Sequence, residues 1–390
     1  DSPPVYIINL SLPPELRYVQ VAKDHFDLIT SLTVQFDELV ERAGLPKALM
    51  HFLARTFLRR LHSNEQTREL RGIQNVTGVP MYLLVAYNVL LDLLMGCTSG
   101  GVTVREPCSG GGRGKLGRKK MMHFRMLDWD MDPLRQAVVQ FDFTARKGGP
   151  VIARVINYVG YVGVLTGVRV GLSASLNFRP YKNNLETEFK RVWMRSFWHI
   201  LLVLTGFRPS ISSRLRDLFI PRTRHQGLFG RISRAAMPSQ NLTDVAQDFS
   251  SMKSSSCYLV FCDGSETLLL EKDHNTAKAM RSDSFIAVTN HDVSYDDAAT
   301  VEAKQIAVAS TSLLGTGMEE ILAESAGRKE VLTRKWTRHA HKSRSRASGL
   351  WLKVEDVQEW ISEYPVTNEQ THFATIMDPT EGNIVWTRRY

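Results

Sequence analysis

Met81-Tyr-Leu-Leu-Val-Ala-Tyr-Asn-Val-Leu-Leu-Asp-Leu-Leu-Met95 runs straight into Gly96-Cys97-Thr98-Ser99-Gly100-Gly101. The first part is an apolar helical run, with Pro80 suited to its first turn. Beyond Cys97 the pattern turns to strands, so a thiol stands on the boundary between two textures. A cysteine after an apolar helix is, on general grounds, a small buried hydrophobe. Three neighbours point to chemistry instead. Gly96 leaves the preceding carbonyl unshielded, and Thr98 to Gly101 keep the following backbone small and polar. The strand-like His123-Phe-Arg125-Met-Leu-Asp128-Trp129 supplies a guanidinium and a carboxylate. In a regular strand Arg125 and Asp128 face opposite sides, so a bend at Asp128 is expected if both are to reach one sulfur.

Working outward, the first ninety-five residues read as helical. Pro13-Pro14 opens a stretch from Glu15 to Glu41 with helical spacing, closed by Gly44 and Pro46. Ser63-Asn-Glu-Gln66 is a capping-box pattern for a helix ending near Gly78. After Cys97, Ala137–Phe143 and Val151–Tyr158 flank a Gly-Gly-Pro turn and read as a hairpin. Further strands are expected at Tyr161–Leu165, Leu172–Phe178, Cys257–Cys262, Thr267–Glu271, Phe285–Thr289, Phe373–Met377 and Ile384–Thr387. Helices are expected near Leu185–Leu204, Leu242–Met252, Val301–Glu324 and Val354–Tyr364. Helices first, then strands in blocks with helices between, give a layered α+β domain rather than a βαβ repeat. Cys108 to Lys120 and Arg328 to Ser348 are glycine-rich or strongly basic and read as mobile surface loops.

With 390 residues, 43% apolar and 23% charged, the chain is globular in composition. Its net charge of +9 favours anionic surfaces without naming one. No apolar run reaches the roughly 18–20 residues of a membrane span. Cys257 and Cys262, five residues apart in one strand, point to opposite faces roughly 16 Å apart, too far for a disulfide. Gly110 to Lys115 has the wrong spacing for a phosphate loop, and Leu116 stands where Ser or Thr is needed. Asp128-x-Asp130-x-Asp132 lacks the glycine and glutamate of a calcium loop. His339-x-His341 has no carboxylate or thiol beside it, so no metal and no cofactor are expected. No RNP, zinc-finger or helix-turn-helix pattern accompanies the basic segments, and no nucleic acid is expected.

Several ordered motifs carry a resemblance. Tyr6-Ile-Ile-Asn9-Leu-Ser-Leu-Pro-Pro14, Arg71-Gly-Ile-Gln-Asn-Val-Thr-Gly-Val-Pro80, Cys97-Thr-Ser99, Arg125-x-x-Asp128-Trp129, Gly160-Tyr-Val-Gly-Val-Leu-Thr-Gly167 and Thr289-Asn290-x-Asp292 run nearly end to end. Together the chain resembles the acid ceramidase and N-acylethanolamine acid amidase family of N-terminal-nucleophile cysteine hydrolases. That resemblance implies a four-layer αββα sandwich with a helical N-terminal segment. It implies self-cleavage between Gly96 and Cys97, giving an α-subunit 1–96 and a β-subunit 97–390 that stay together as a heterodimer. Cys97 is then the nucleophile, its freed α-amine the base, Arg125 the partner of the thiolate, Asp128 the orienter of the amine and Asn290 the holder of the oxyanion. Trp129, Tyr161 and Phe178 are the aromatic residues expected at the substrate.

The implied substrate is an N-acyl lipid amide of ceramide or N-acylethanolamine type, cut to a fatty acid and an amine through an acyl-thioester. The apolar helices before Cys97 and the Trp193–Phe207 stretch are candidates for an acyl channel or membrane contact, with an anionic membrane surface as partner. Localisation is lysosome or vacuole or secreted by resemblance, and cytoplasmic if no leader precedes Asp1. The chain departs from the family pattern at Phe178, in place of its glutamate, and at Ala298, in place of a second arginine. The interval from Cys97 to Arg125 is also about a dozen residues longer. A non-catalytic lipid- or membrane-binding relative is the alternative reading.

Overall fold

Strand β2 (Gly96–Arg105) divides its side chains between two clusters. Cys97 joins one, while Val102 and Val104 join the other. That alternation, period two on a pleated strand, is what lets one sheet carry a site on one face and a helix layer on the other. The computed structural model describes residues 1–42, 44, 46–90, 96–105, 118–129, 131–180, 182–183, 188–221, 223–224, 233–234, 241–293, 317–345 and 351–390.

The remaining strands are β1 (Val5–Asn9), β3 (Lys119–Asp128), β4 (Val138–Thr144), β5 (Val151–Tyr158), β6 (Thr166–Arg169), β7 (Leu172–Phe178), the short pair β8 (Thr223–Arg224) and β9 (Ser233–Arg234), β10 (Cys257–Cys262), β11 (Thr267–Lys272), β12 (Ala277–Ser282), β13 (Phe285–Val288), β14 (Thr371–Asp378) and β15 (Asn383–Arg389). Among the described residues they form an eight-stranded sheet, β1-β4-β5-β6-β7-β10-β11-β12, and a five-stranded sheet, β13-β2-β3-β14-β15. The sheets face each other. His123 of β3 reaches Ser173 and Ser175 of β7 with its two ring nitrogens, each at 2.9 Å.

Outside the eight-stranded sheet, Val245 and Phe249 of the Leu242–Ser251 helix pack on Leu259 and Phe261, and the helices Asn64–Thr77 and Met81–Leu90 cover the same cluster. Outside the five-stranded sheet, Phe124, Met126 and Ile376 pack on Val331 and Leu332 of the Gly317–Ser345 helix and on Val357 and Ile361 of the Val354–Ser362 helix. The result is four layers, αββα, as the resemblance implied.

The N-terminal segment is woven into this sandwich. β1 runs parallel to β4, from Val5 opposite Gln140 to Asn9 opposite Thr144. Asn88 donates to the Gly160 carbonyl at 2.9 Å and accepts from the Val162 amide at 2.8 Å. Ser63 accepts from the Gln66 amide, and Gly78 closes that helix at φ 71°. Such a serine cap is worth about 1 kcal/mol.

Three expectations change, and two others fall partly outside the described residues. The helix expected from Glu15 to Glu41 is three short ones, Val19–Asp24, Phe26–Thr30 and Leu32–Arg42, the first break falling where His25 leaves the helical region at φ −119°, ψ 33°. The strand expected at Tyr161–Leu165 lies instead at Thr166–Arg169, because the positive φ of Gly160 turns the chain first. Val301 to Thr316 of the expected helix lie outside the described residues, and the described helix runs Gly317–Ser345. The basic stretch expected as a loop, Arg328 to Ser348, is helical as far as Ser345, with Val331 and Leu332 anchoring it to the sheet. Of the other expected loop, residues 108–117 lie outside the described residues, while Lys119 and Lys120 begin β3. Among the described residues, no helix is long and apolar enough to cross a membrane.

Candidate active site

β2 and β3 pair without interruption from Gly96 opposite Asp128 to Arg105 opposite Lys119. Cys97 and Arg125 therefore point the same way, into the space between the sheets. Arg125 brings Nη2 to 3.2 Å from the Cys97 sulfur. Its Nη1 donates to Asn177 Oδ1 at 2.8 Å, and Ser99 Oγ donates to the same oxygen at 2.7 Å. Both charged and thiol side chains are fully buried.

Asp128 faces away from the sulfur, and the bend anticipated from the sequence is absent. The strand stays regular because a partner waits on the other side. Arg328, from the Gly317–Ser345 helix, forms a buried ion pair with Asp128 Oδ2, and Thr371 Oγ1 donates to Oδ1 at 2.8 Å. Arg328 Nη2 also donates to Asn290 Oδ1 at 3.0 Å, and the Cys97 backbone N–H donates to that oxygen at 2.9 Å. Two donors at one end of the amide fix it as the oxygen end. The Nδ2 end donates to the Phe178 carbonyl at 2.9 Å. Thus Arg125 attends the sulfur, while Asp128 acts on the nitrogen through Arg328 and Asn290.

Burial pushes the Cys97 thiol up, Arg125 and Arg328 pull it down, and Asp128 adds to the rise. The backbone of Phe178 also favours the thiolate. Burial likewise raises Asp128, opposed by Arg328 and Thr371. Two guanidiniums against one carboxylate give a local surplus of positive charge that a thiolate would neutralise.

The loop that carries Asn290 is pinned beyond it. Arg179 holds Asp292 with two bonds of 2.7 Å, and the Tyr258 hydroxyl donates to Asp292 at 2.8 Å. Of the aromatic residues expected at the substrate, Trp129 is half-buried beside Tyr158 and His372. Phe178 contributes its backbone. Tyr161 is fully buried edge-on to Tyr87, with ring centroids 6.0 Å apart. Sequence reasoning missed Arg328, Asn177 and Thr371. Arg328 hides in a run of Lys and Arg, and only its place on the buried face of the helix sets it apart. Ala298 lies outside the described residues, yet a second guanidinium reaches the site from elsewhere.

Among the described residues, no cluster of His, Cys, Asp or Glu could hold a metal ion. Cys97, Cys257 and Cys262 are buried. A cavity of about 820 Å³ lined by Leu12, Arg17, Glu65, Arg214 and Arg216 shares no residue with the Cys97 cluster and is not the site.

Two facing sheets lie between helical layers, with a cysteine near the head of a central strand and its sulfur and nitrogen each held by a buried side chain, which is the layered α+β arrangement that the resemblance implied. A family model described as the beta subunit of N-acylethanolamine-hydrolyzing acid amidase matches residues 1–62. The N-acylethanolamine-hydrolyzing acid amidase of Caenorhabditis elegans is 31% identical over 257 residues, 62% of this chain and 63% of that protein. The acid ceramidase of Rattus norvegicus is 28% identical over 188 residues, 45% of each. A solved structure of the Caenorhabditis elegans amidase ortholog superposes with a TM-score of 0.46 at 19% identity, over 75% of this chain and 100% of that one. The sequence matches are to N-acylethanolamine-hydrolyzing acid amidases and acid ceramidases, as the resemblance implied. The chain spans about half to two thirds of the length of these curated relatives.

Proposed function

We propose that this protein is a self-processing cysteine amidase that hydrolyses the amide bond of N-acyl lipids. The observation that carries the reading is the double hold on Cys97. Arg125 faces its sulfur at 3.2 Å while Asn290 accepts its amide N–H at 2.9 Å. A structural cysteine needs neither. A cysteine that must be nucleophile and, once Gly96 is cut away, amine base needs both.

Processing begins as the Cys97 thiol attacks the Gly96 carbonyl. The C–N bond breaks as the C–S bond forms, the proton passes to nitrogen, and water then cleaves the thioester. The products are a Gly96 carboxylate and a free α-amine on Cys97, a group with an ordinary pKa of about 8. In turnover that amine takes the thiol proton, and the thiolate attacks the substrate carbonyl. The oxyanion is met by the Asn290 amide and by the Phe178 backbone N–H, each such donor being worth roughly 3–4 kcal/mol. The amine returns its proton to the leaving group, and water frees the fatty acid. Arg125 stabilises the thiolate against its burial. Asp128 and Arg328 hold Asn290 and so orient the amine.

A lipid substrate calls for a lipid-facing surface, and the apolar helices offer one. The Phe189–Leu204 helix exposes Phe189, Trp193, Met194, Phe197 and Trp198, and the Lys47–Phe57 helix exposes Leu49, Phe52 and Phe57. Lys190, Arg191 and Arg195 lie among the first group. This is the composition of a helix lying in a membrane interface next to anionic headgroups. A lysosomal or secreted location accompanies the family reading.

Expressed protein should resolve into two fragments at Gly96–Cys97, and Cys97→Ala should remain one chain. Fatty acid released from a panel of N-acyl amides then identifies the headgroup. An uncut wild-type chain at every pH, or a Cys97→Ala protein still in two pieces, would sink the proposal. Cleavage with silence across the panel would favour a lipid-binding relative without turnover.

A further inference from the structure

Two side chains of the Cys97 cluster have no part in the reaction above. Asn177 of β7 and Ser99 of β2 are fully buried, and both stand against Arg125. Strand alternation brings them there. Ser99 lies opposite Arg125 in the β2–β3 register and two residues beyond Cys97, so all three side chains enter the space between the sheets. From the facing sheet, Ser173, Ser175 and Asn177 share one face of β7, the first two meeting His123 and the third Arg125. Asn177 Oδ1 accepts from Arg125 Nη1 at 2.8 Å and from Ser99 Oγ at 2.7 Å, which marks it as the oxygen end of the amide. The Nδ2 end lies 3.4 Å from the Val288 carbonyl.

What Arg125 lacks is a carboxylate. Its acceptors are an amide oxygen, a hydroxyl 3.4 Å away and the Cys97 sulfur, and among the described residues no carboxylate forms an ion pair with it. Other buried arginines nearby differ, Arg328 being paired with Asp128 and Arg179 with Asp292. The charged groups that act on the sulfur are Arg125 and Asp128 from β3 and Arg328 from the Gly317–Ser345 helix, with Tyr158 of β5 the nearby phenol. Asp128 is already engaged by Arg328 and Thr371. His123, on the same face as Arg125, is kept neutral by burial. A buried cation without a counter-ion is costly. Of the atoms in contact with this guanidinium, the sulfur is the one that can take up a negative charge.

We propose that Asn177 is a positioning residue of the Cys97 nucleophile, steadied by Ser99, which anchors Arg125 through a neutral oxygen and so reserves the guanidinium charge for the sulfur. A carboxylate in the same place would hold Arg125 at least as firmly, yet it would neutralise the charge that a thiolate needs. An amide of the same shape holds the group and leaves it charged. The inference rests on the amidase reading, since it gives Asn177 a role at the same nucleophile.

The first test is Asn177→Asp, read by the pH dependence of Cys97 alkylation with iodoacetamide in the full chain. Peptide-resolved mass spectrometry keeps the other thiols from intruding. The ionisation midpoint should rise by about one unit or more, because Arg125 then has another counter-ion. Asn177→Ser, which stays neutral, should shift it by less than about half as much. An Asn177→Asp midpoint equal to wild type, or an Asn177→Ser shift just as large, overturns the proposal. The second test compares Cys97→Asp with Cys97→Asn, side chains of one shape at the place of the sulfur, and it decides the matter if Asn177→Asp does not fold. A guanidinium that has kept its charge for that place should give Cys97→Asp the higher urea midpoint near neutral pH. An equal or lower midpoint overturns the proposal. Neither readout needs turnover, so wild-type protein that releases no fatty acid would count against the amidase, while these midpoints still decide the role of Asn177.

Discussion

Arg328 and Asp128, 200 residues apart in sequence, form an ion pair that is almost completely shielded from water. One lies on a helix outside the five-stranded sheet and the other at the end of β3 within it. Their contact ties the outer helical layer to the backbone nitrogen of Cys97 through Asn290. Breaking one side of such a pair strands a buried charge, which typically costs roughly 3–5 kcal/mol. Arg328→Met should therefore lower unfolding free energy by that order, and the Asp128→Asn/Arg328→Met double variant should lose less than the sum of the singles. Urea titrations of the four proteins check this, and a single-variant loss under about 1 kcal/mol would contradict it. Both singles should also slow scission at Gly96–Cys97.

The glycines after Cys97-Thr-Ser are set by close approach. A methyl on Gly100 would lie 2.1 Å from the Ile286 carbonyl oxygen of β13, a backbone atom that cannot step aside. Gly100→Ala should force β13 away from β2 and cost roughly 1–3 kcal/mol or more. A melting temperature equal to wild type would show that the strand relaxes freely.

Acid should weaken the fold through its buried histidines. His123 lies between Ser173 and Ser175, fully buried, and burial first and Arg125 second push it down to about 3. A depressed value means stability that is fully present above the unfolded value near 6.5 and lost as pH falls toward 3. One such ring accounts for roughly 2 kcal/mol between pH 7 and pH 5. His123→Asn, which keeps a donor and an acceptor without titrating, should flatten the dependence of urea midpoints on pH. Identical slopes for variant and wild type would remove His123 from the account.

Membrane contact should be salt-sensitive and local. Phe52→Ser and Trp198→Ser, at side chains 65% and 55% exposed, should reduce flotation with anionic vesicles several-fold, and raised salt should weaken the wild type. Equal binding by variants and wild type would move the contact to another surface.

Much of the strand layer was legible from alternation and turns. Leu172–Phe178 and Cys257–Cys262 fall where the pattern puts them, because short strands bounded by polar turns leave few alternatives. The three short helices before Arg42 were not legible, since their apolar spacing is continuous and does not mark the breaks at His25 and Ser31. β1 was missed as well. Its alternation is weak, and its strand character comes from pairing with β4.

Of the site, the sequence by itself determined the residue types and the order of Cys97, Arg125, Asp128 and Asn290. It fixed the parity of β3, which sends Arg125 and Asp128 to opposite faces, because side chains on a strand alternate whatever surrounds them. What parity could not say is whether opposite faces are a defect to be corrected or a division of labour. Only the tertiary structure decided that, by bringing Arg328 from a helix to Asp128 and Asn290 to the Cys97 nitrogen. These contacts span 200 and 193 residues, and no local preference encodes them. They exist because burying a carboxylate without a cation is prohibitive, and the fold supplies the cation from another layer.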